Sequence, residues 1–77
     1  MKKIKQGDLV TLSSFGMASL ENDRMSISER VNLTRLRNNG GQVVGLYDEF
    51  AKIGIYDPSK SQFVDHWVLD KKRISIL

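Results

Sequence analysis

Apolar and polar residues alternate along the second half of the chain, and this alternation predicts β-strands. In the stretch 50–56 successive side chains of a strand would point to opposite faces. We therefore expect Ala51, Ile53 and Ile55 to point inward from this strand. Lys52, Gly54 and Tyr56 should point outward. The same period of two near the start places Val10 and Leu12 on one side of a first strand.

Five such strands are predicted, separated by residues that favour turns. Asp48 and Glu49 form a short connection that is typical of a tight hairpin, and Pro58 lies within a polar turn. A further polar turn, compatible with one 3-10 turn, spans residues 70–73. The predicted strands cover residues 7–12, 42–47, 50–56, 62–69 and 74–77.

The segment between the first two strands has a less regular pattern. Residues 16–24 are polar and are predicted as a loop. Ser26 and Glu29 have the spacing of a capping box, which predicts a helix over 27–37 that ends at the glycines after Asn39. Val31 and Leu33 also alternate with polar neighbours as in a strand, so both helix and strand-plus-loop stay open for this segment.

These elements predict a mostly β fold, a single domain over residues 1–77. Five short strands, a wide early loop, a tight central hairpin and a brief turn before the last strand indicate a small closed barrel, because closure removes exposed strand edges. The long connection, about residues 14–41, is then an insertion between strands 1 and 2.

Two parts of the chain resemble known small barrels. Residues 7–12 and 41–46 resemble the opening of KOW-type and related SH3-like barrels, in which a glycine-acid pair opens the first strand and a glycine precedes the second. Residues 66–76, a tryptophan strand followed by a polar turn and a short apolar strand, are similar to the ending of small SH3-like proteins encoded by bacteriophages. The resemblance implies a five-stranded SH3-like barrel and an accessory role in binding.

Composition narrows the classes of function. The 77 residues include no cysteine, which excludes disulfides, thiolate nucleophiles and cysteine zinc sites. No apolar run follows the basic start, and no stretch approaches the ~20 apolar residues of a membrane span, so we expect neither a signal peptide nor a membrane segment. A domain of this size without disulfides is expected in the cytoplasm, or in the host cytoplasm if a phage encodes it.

The sequence offers no catalytic constellation, metal site or cofactor site. His66 is the only histidine, and Asp65 beside it would point to the opposite face of a strand. No nucleotide-binding glycine loop and no nucleophile elbow are present. A toxin-ribonuclease interpretation is opposed by the short chain, which lacks the arginine-proline pair that those enzymes carry after the first loop. We therefore expect a protein that is not an enzyme.

Apolar side chains outside the expected core are candidates for contact with a protein. Tyr56 points outward and Tyr47 lies at a strand end, whereas Phe63 and Trp67 are expected in or near the core. Methionine suits adaptable contact surfaces. The candidate protein-binding residues are Met17, Leu20, Met25, Tyr47 and Tyr56.

The net charge is +3, and nine of the twelve lysines and arginines lie in three groups. Two of the groups are the candidates for nucleic-acid contact: Arg30, Arg35 and Arg37, and Lys71, Lys72 and Arg73. The remaining group is Lys2, Lys3 and Lys5, and it would merge with the last group if the chain ends lie together. A merged patch would bind phosphates in a salt-sensitive manner, while the alternative is a solvated surface.

The first hypothesis is therefore a non-enzymatic binding module, phage-encoded, that contacts a host or viral protein. The alternative is a nucleic-acid-binding, KOW-like protein associated with transcription or translation. The sequence leaves the oligomeric state open, with a homodimer among the alternatives.

Overall fold

A computed structural model describes residues 3–21 and 25–77. It contains five strands, two α-helices and one 3-10 turn. The strands are β1 (Leu9–Leu12), β2 (Gly41–Leu46), β3 (Phe50–Asp57), β4 (Gln62–Asp70) and β5 (Ile74–Ile76). The helices are α1 (Ser14–Leu20) and α2 (Ile27–Asn39), and the 3-10 turn is Lys71–Arg73.

The strands form one antiparallel sheet in the order β4-β3-β2-β1-β5. The five predicted strands are thus confirmed, and so is the 3-10 turn before the last one. Among the described residues β4 and β5 are the two edges of the sheet, which is not closed into a barrel.

The helix alternative for the segment after residue 26 is confirmed, since α2 runs from Ile27 to Asn39. The Ser26 hydroxyl accepts a hydrogen bond from the Glu29 amide at 3.3 Å, which satisfies one of the amides that a helix start exposes. Gly40 ends the helix at φ +78°, a backbone conformation that glycine adopts without steric cost.

The loop predicted for residues 16–24 is wrong over its first part, because α1 occupies Ser14–Leu20; residues 22–24 lie outside the described ranges. The Ser13 hydroxyl caps α1 by accepting a hydrogen bond from the Gly16 amide at 3.1 Å. The Ser13 amide donates to the Arg73 carbonyl at 2.9 Å. Packing against the 3-10 turn, and not an amphipathic sequence pattern, therefore stabilises this helix.

The core lies between α2 and the inner face of the sheet. The inward residues predicted from alternation are buried, including Val10, Leu12, Ala51, Ile53 and Ile55. From α2, Leu33 and Leu36 pack against them at 0% exposure. Partly buried side chains close the edges of this core: Ile4, Leu20, Met25 and Trp67.

A β-bulge changes the facing of residues along β4. The β3–β4 register shifts between Ile53 and Ile55, and Asp65 opposite them has φ +54°. The extra residue reverses the alternation, so Phe63 and Trp67 lie on opposite faces. Trp67 packs against the core as expected, while Phe63 pairs with Tyr56 on the outer face.

Substitution of Gly16 tests how closely α1 packs against the 3-10 turn. A Cβ at this position would overlap the Arg73 carbonyl oxygen and would lie 2.8 Å from Leu12 Cδ2. We expect Gly16→Ala to lower the free energy of unfolding by about 1–3 kcal/mol. Gly45→Ala is the control, since its Cβ would meet Lys52 Cβ at an ordinary 3.6 Å. Equal urea midpoints for the two variants would contradict the packing described for α1.

The turn between β3 and β4 is held by the Asp57 carboxylate. Its Oδ1 accepts from the Ser59 hydroxyl at 2.6 Å and from the Ser59 amide at 2.9 Å. The Ser59 hydroxyl is the larger cause, and the Ser59 amide and the Lys60 charge add to it, so that the pKa of Asp57 lies below its ordinary value of 3.8. A carboxyl with a lowered folded-state pKa stabilises the fold above the ordinary value, and this contribution is lost as pH falls through the folded-state pKa.

We expect Ser59→Ala to raise the pKa of Asp57 toward its ordinary value, because the strongest hydrogen bond to the carboxylate is removed. The stability difference from wild type should be present at neutral pH and should shrink once acid protonates the carboxyl. NMR titration of the Asp57 side chain measures the pKa. Ser75→Ala, in β5 at the opposite edge of the sheet, is the control and should leave this pKa unchanged.

Candidate binding surfaces

The outer face of the sheet is the side turned away from α2. We define it by six residues of β3, β4 and the turn before β3: Tyr47, Lys52, Tyr56, Phe63, His66 and Val68. Lys52 lies opposite Val68, and Tyr56 lies opposite Phe63, in the β3–β4 pairing. The β-bulge at Asp65 brings His66 and Phe63 to the same side, over Gly54.

Glycines allow the rings of the outer face to lie close to the sheet. A Cβ at Gly54 would lie 3.1 Å from His66 Cδ2 and 3.2 Å from Phe63 Cβ. A Cβ at Gly45 would lie 3.8 Å from the Tyr47 hydroxyl. The Tyr56 and Phe63 rings meet edge to face, with centroids 5.2 Å apart and planes inclined by 62°. The result is a shallow, ring-lined surface without a deep cleft.

The composition of the outer face differs from that of an ordinary solvated sheet face, which carries mainly polar residues. Tyr47 is 54% exposed and Val68 is 48% exposed. Lys52 is the only one of the six side chains that contributes to the formal charge, in which histidine is taken as neutral. Contiguous exposed apolar side chains are typical of an interaction site.

The five residues predicted for protein binding do not form one surface. Tyr47 and Tyr56 lie on the outer face, where Tyr56 is half-buried. Leu20 and Met25 instead are partly buried and pack against the core. Met17 is exposed on α1.

Sequence reasoning missed Phe63, His66 and Val68 as members of the outer face. The signal was present in β4, where the inward positions change from even to odd between Val64 and Trp67. Such a change of phase within a strand is the mark of an inserted residue.

The arginines of α2 are engaged in local contacts. Arg30 donates from Nη1 to the Leu20 carbonyl at 3.0 Å, which ties α2 to the end of α1. Arg35 forms an ion pair with Asp65 at 2.8 Å, and the carboxylate offsets its charge. Arg37 is exposed at the end of the helix, and its Nε donates to the Asn38 side chain at 3.4 Å.

The basic residues near the carboxyl end are also used within the fold. Lys71 donates from Nζ to the Asp48 carbonyl at 2.9 Å. Arg73 is half-buried, and its Nε has no hydrogen-bond partner among the described residues. Lys72 is exposed, while its carbonyl accepts from the Ser13 hydroxyl.

Described members of the two terminal basic groups lie near opposite ends of the short strand β5. Lys3 and Lys5 line an open depression of about 350 Å³ together with Asp8 and Ile76. Arg73 lies at the other end of β5, beside the end of β1. Lys2 lies outside the described residues. Within residues 3–21 and 25–77, basic side chains thus lie at several places in the fold: Lys3 and Lys5 near one end of β5, Arg73 at the other end, and Arg37 at the end of α2.

No site for metal chemistry is found in the described parts of the chain. Residues 3–21 and 25–77 contain no group of three or more histidine, cysteine, aspartate or glutamate side chains arranged to hold a metal ion. Over the same residues, no helix is both long enough and apolar enough to cross a membrane.

Comparison of the chain with protein-family models, with curated proteins and with solved structures found no match in any of the three. The geometry of the surfaces therefore carries the functional argument.

The Arg35–Asp65 ion pair can be measured by a double-mutant cycle of Arg35→Gln and Asp65→Asn. Both side chains are partly exposed, so we expect a coupling free energy of about 0.2–1 kcal/mol that decreases in high salt. Asparagine is chosen because it tolerates the positive φ of Asp65. Urea unfolding of the four proteins gives the coupling. Zero coupling at low salt would show that Arg35 is available to another anion.

Proposed function

We propose that this chain is a non-enzymatic binding module that contacts a protein partner through the outer face of its sheet. The observation that carries the proposal is that Tyr47 and Val68 are exposed on the face that also holds the half-buried rings of Tyr56 and Phe63, with Lys52 as the single cation of the six residues.

The physical basis is the removal of apolar surface from water. Interfaces are enriched in aromatic residues and depleted of charge at their centre. The rings of the outer face lie on a hydrogen-bonded sheet, so little conformational entropy is lost when a partner docks. Tyr56 and Phe63 already support each other at 5.2 Å, which fixes part of the surface before binding.

The proposal extends to the fold family. A long β1–β2 connection, a tight turn closed by a 2.9 Å hydrogen bond from the Tyr47 amide to the Phe50 carbonyl, and one 3-10 turn before β5 support an SH3-like arrangement with an insertion. With the sequence resemblance, they support a phage-encoded accessory protein that acts in the host cytoplasm on a host or viral protein.

The alternative function, nucleic-acid binding, is favoured by the exposed cations Arg37 and Lys72 and by the net charge of +3. Phosphate binding depends on several cations that act together along a backbone. The dispersal of the basic groups and the Arg35–Asp65 pair weigh against it. Protein contact is therefore the first proposal.

We expect Val68→Glu to abolish capture of a partner by the purified chain from a lysate of the source organism, because it places a charge among the apolar side chains of the outer face. The matched control is Phe15→Glu on α1: Phe15 is 54% exposed and Val68 is 48% exposed. Both variants should retain the wild-type circular dichroism spectrum and melting temperature. Quantitative mass spectrometry of the captured proteins provides the measurement.

Retention of the same partner by Val68→Glu would refute the assignment of the outer face. Retention of nucleic acid by the purified chain that collapses between low and moderate salt, and that Val68→Glu does not alter, would favour the alternative function.

A further inference from the structure

Helix α2 has a second apolar side, opposite the side that packs against the core. Ile27 and Val31 lie four residues apart, and Thr34 and Asn38 continue the same line at intervals of three and four. Residues with this spacing form one seam along a helix. We call these four residues the α2 seam.

Exposure shows that the seam is not part of the core. Ile27 is 82% exposed and Val31 is 51% exposed, whereas Leu33 and Leu36 of the same helix are fully buried. The helix is capped at Ser26 and Gly40 and is anchored by those two leucines. The seam is therefore presented on a rigid scaffold, and two β-branched apolar residues stand in water.

The positions beside the seam carry positive residues. In a heptad assignment with Ile27 and Thr34 at d and Val31 and Asn38 at a, the flanking e and g positions are Ser28, Arg30, Arg35 and Arg37. No carboxylate occupies a flank. Glu29 lies four residues before Leu33, on the side of the core.

Self-pairing of two α2 helices is opposed by this charge pattern. In an antiparallel pair the g positions face each other, so Arg30 would lie near Arg37 of the second copy. In a parallel pair g faces e, which brings Arg30 near Arg35 of the second copy. Like charges beside a helix seam select against that partner. The second copy is therefore a poor occupant.

We propose that the α2 seam binds an acidic amphipathic helix of another protein. Ile27 and Val31 would pack against the apolar stripe of that helix, and glutamate or aspartate at its flanks would face the arginines of α2. Arg37 is the strongest element of this attraction, since Arg35 is already paired with Asp65 and Arg30 is bonded to the Leu20 carbonyl.

The dimensions fit a short helical segment. Eleven residue steps from Ile27 to Asn38 at about 1.5 Å each give a seam of roughly 16 Å, or three turns. Asn38 at the end of the seam would pair with a polar residue of the partner and fix its register. This surface is separate from the outer face, so the inference stands or falls without the proposed function.

The test uses a synthetic peptide of about 14 residues, stapled because helices of that length are marginal alone. It carries leucine at a and d and glutamate at e and g, and a matched peptide carries lysine in place of each glutamate. Titration calorimetry with the full chain should give binding of the acidic peptide that weakens as salt increases. The basic peptide should bind at least about tenfold more weakly.

Two variants connect this binding to the seam. We expect Val31→Glu to weaken binding of the acidic peptide by about tenfold or more, and Arg37→Gln to weaken it severalfold and reduce its salt dependence. Phe15→Glu, on α1, carries the same substitution at a residue that is 54% exposed and lies outside both surfaces, and it should bind as wild type. Melting temperatures show that each variant is folded.

The proposal is overturned if both peptides bind equally, if neither binds, or if Val31→Glu binds the acidic peptide as wild type does. It is also overturned if analytical ultracentrifugation shows a dimer that Val31→Glu dissociates, because the occupant is then a second copy. Duplex or single-stranded DNA retained through Val31 at moderate salt would assign the seam to nucleic acid.

Discussion

The inner side of α2 closes over the sheet at the contact between Leu36, Gly41 and Ile53. A Cβ at Gly41 would lie 2.7 Å from Ile53 Cγ2 and 2.8 Å from Leu36 Cδ1. Only glycine lets the helix approach β2 and β3 this closely. A chain of this length buries only about 60% of its unfolded surface, so each fully buried leucine, worth on the order of 2 kcal/mol, is a large share of the stability. The rest of the fold is arranged around this contact.

The same contact determines which surfaces the protein presents. A single helix layer covers one face of the sheet, and the other face stays in solvent with its rings. Only half of α2 is needed for the core, because Leu33 and Leu36 suffice to cover Ile53. The opposite half is then under no packing constraint, yet it carries Ile27 and Val31. These two exposed apolar residues are the basis of the proposed contact between α2 and another protein.

The strands and α2 could be predicted from the sequence, because the alternation of apolar and polar residues and the capping serine are features of neighbouring residues alone. It was not sufficient for α1, whose stability comes from Ser13, Gly16 and their contacts with Arg73, 57 or more residues later in the chain. The β-bulge at Asp65 was also hidden, since one inserted residue alters the facing of Phe63 without altering composition. Met25 was predicted to contact a partner because methionine suits adaptable contact surfaces, but its side chain packs against the core.

Whether a protein or a nucleic acid is the better candidate partner depends on which basic side chains already make contacts within the fold. A formal +3 suggests an anionic partner, but formal charge does not account for pairing. Arg35 is matched by Asp65, and Lys71 holds the β2–β3 turn through the Asp48 carbonyl. A phosphate backbone would have to compete with each of these contacts. An acidic helix would need only a few cations beside a row of apolar side chains. It would not need a continuous row of cations. In the proposed contact, Arg37 beside Ile27 and Val31 would supply that arrangement on α2.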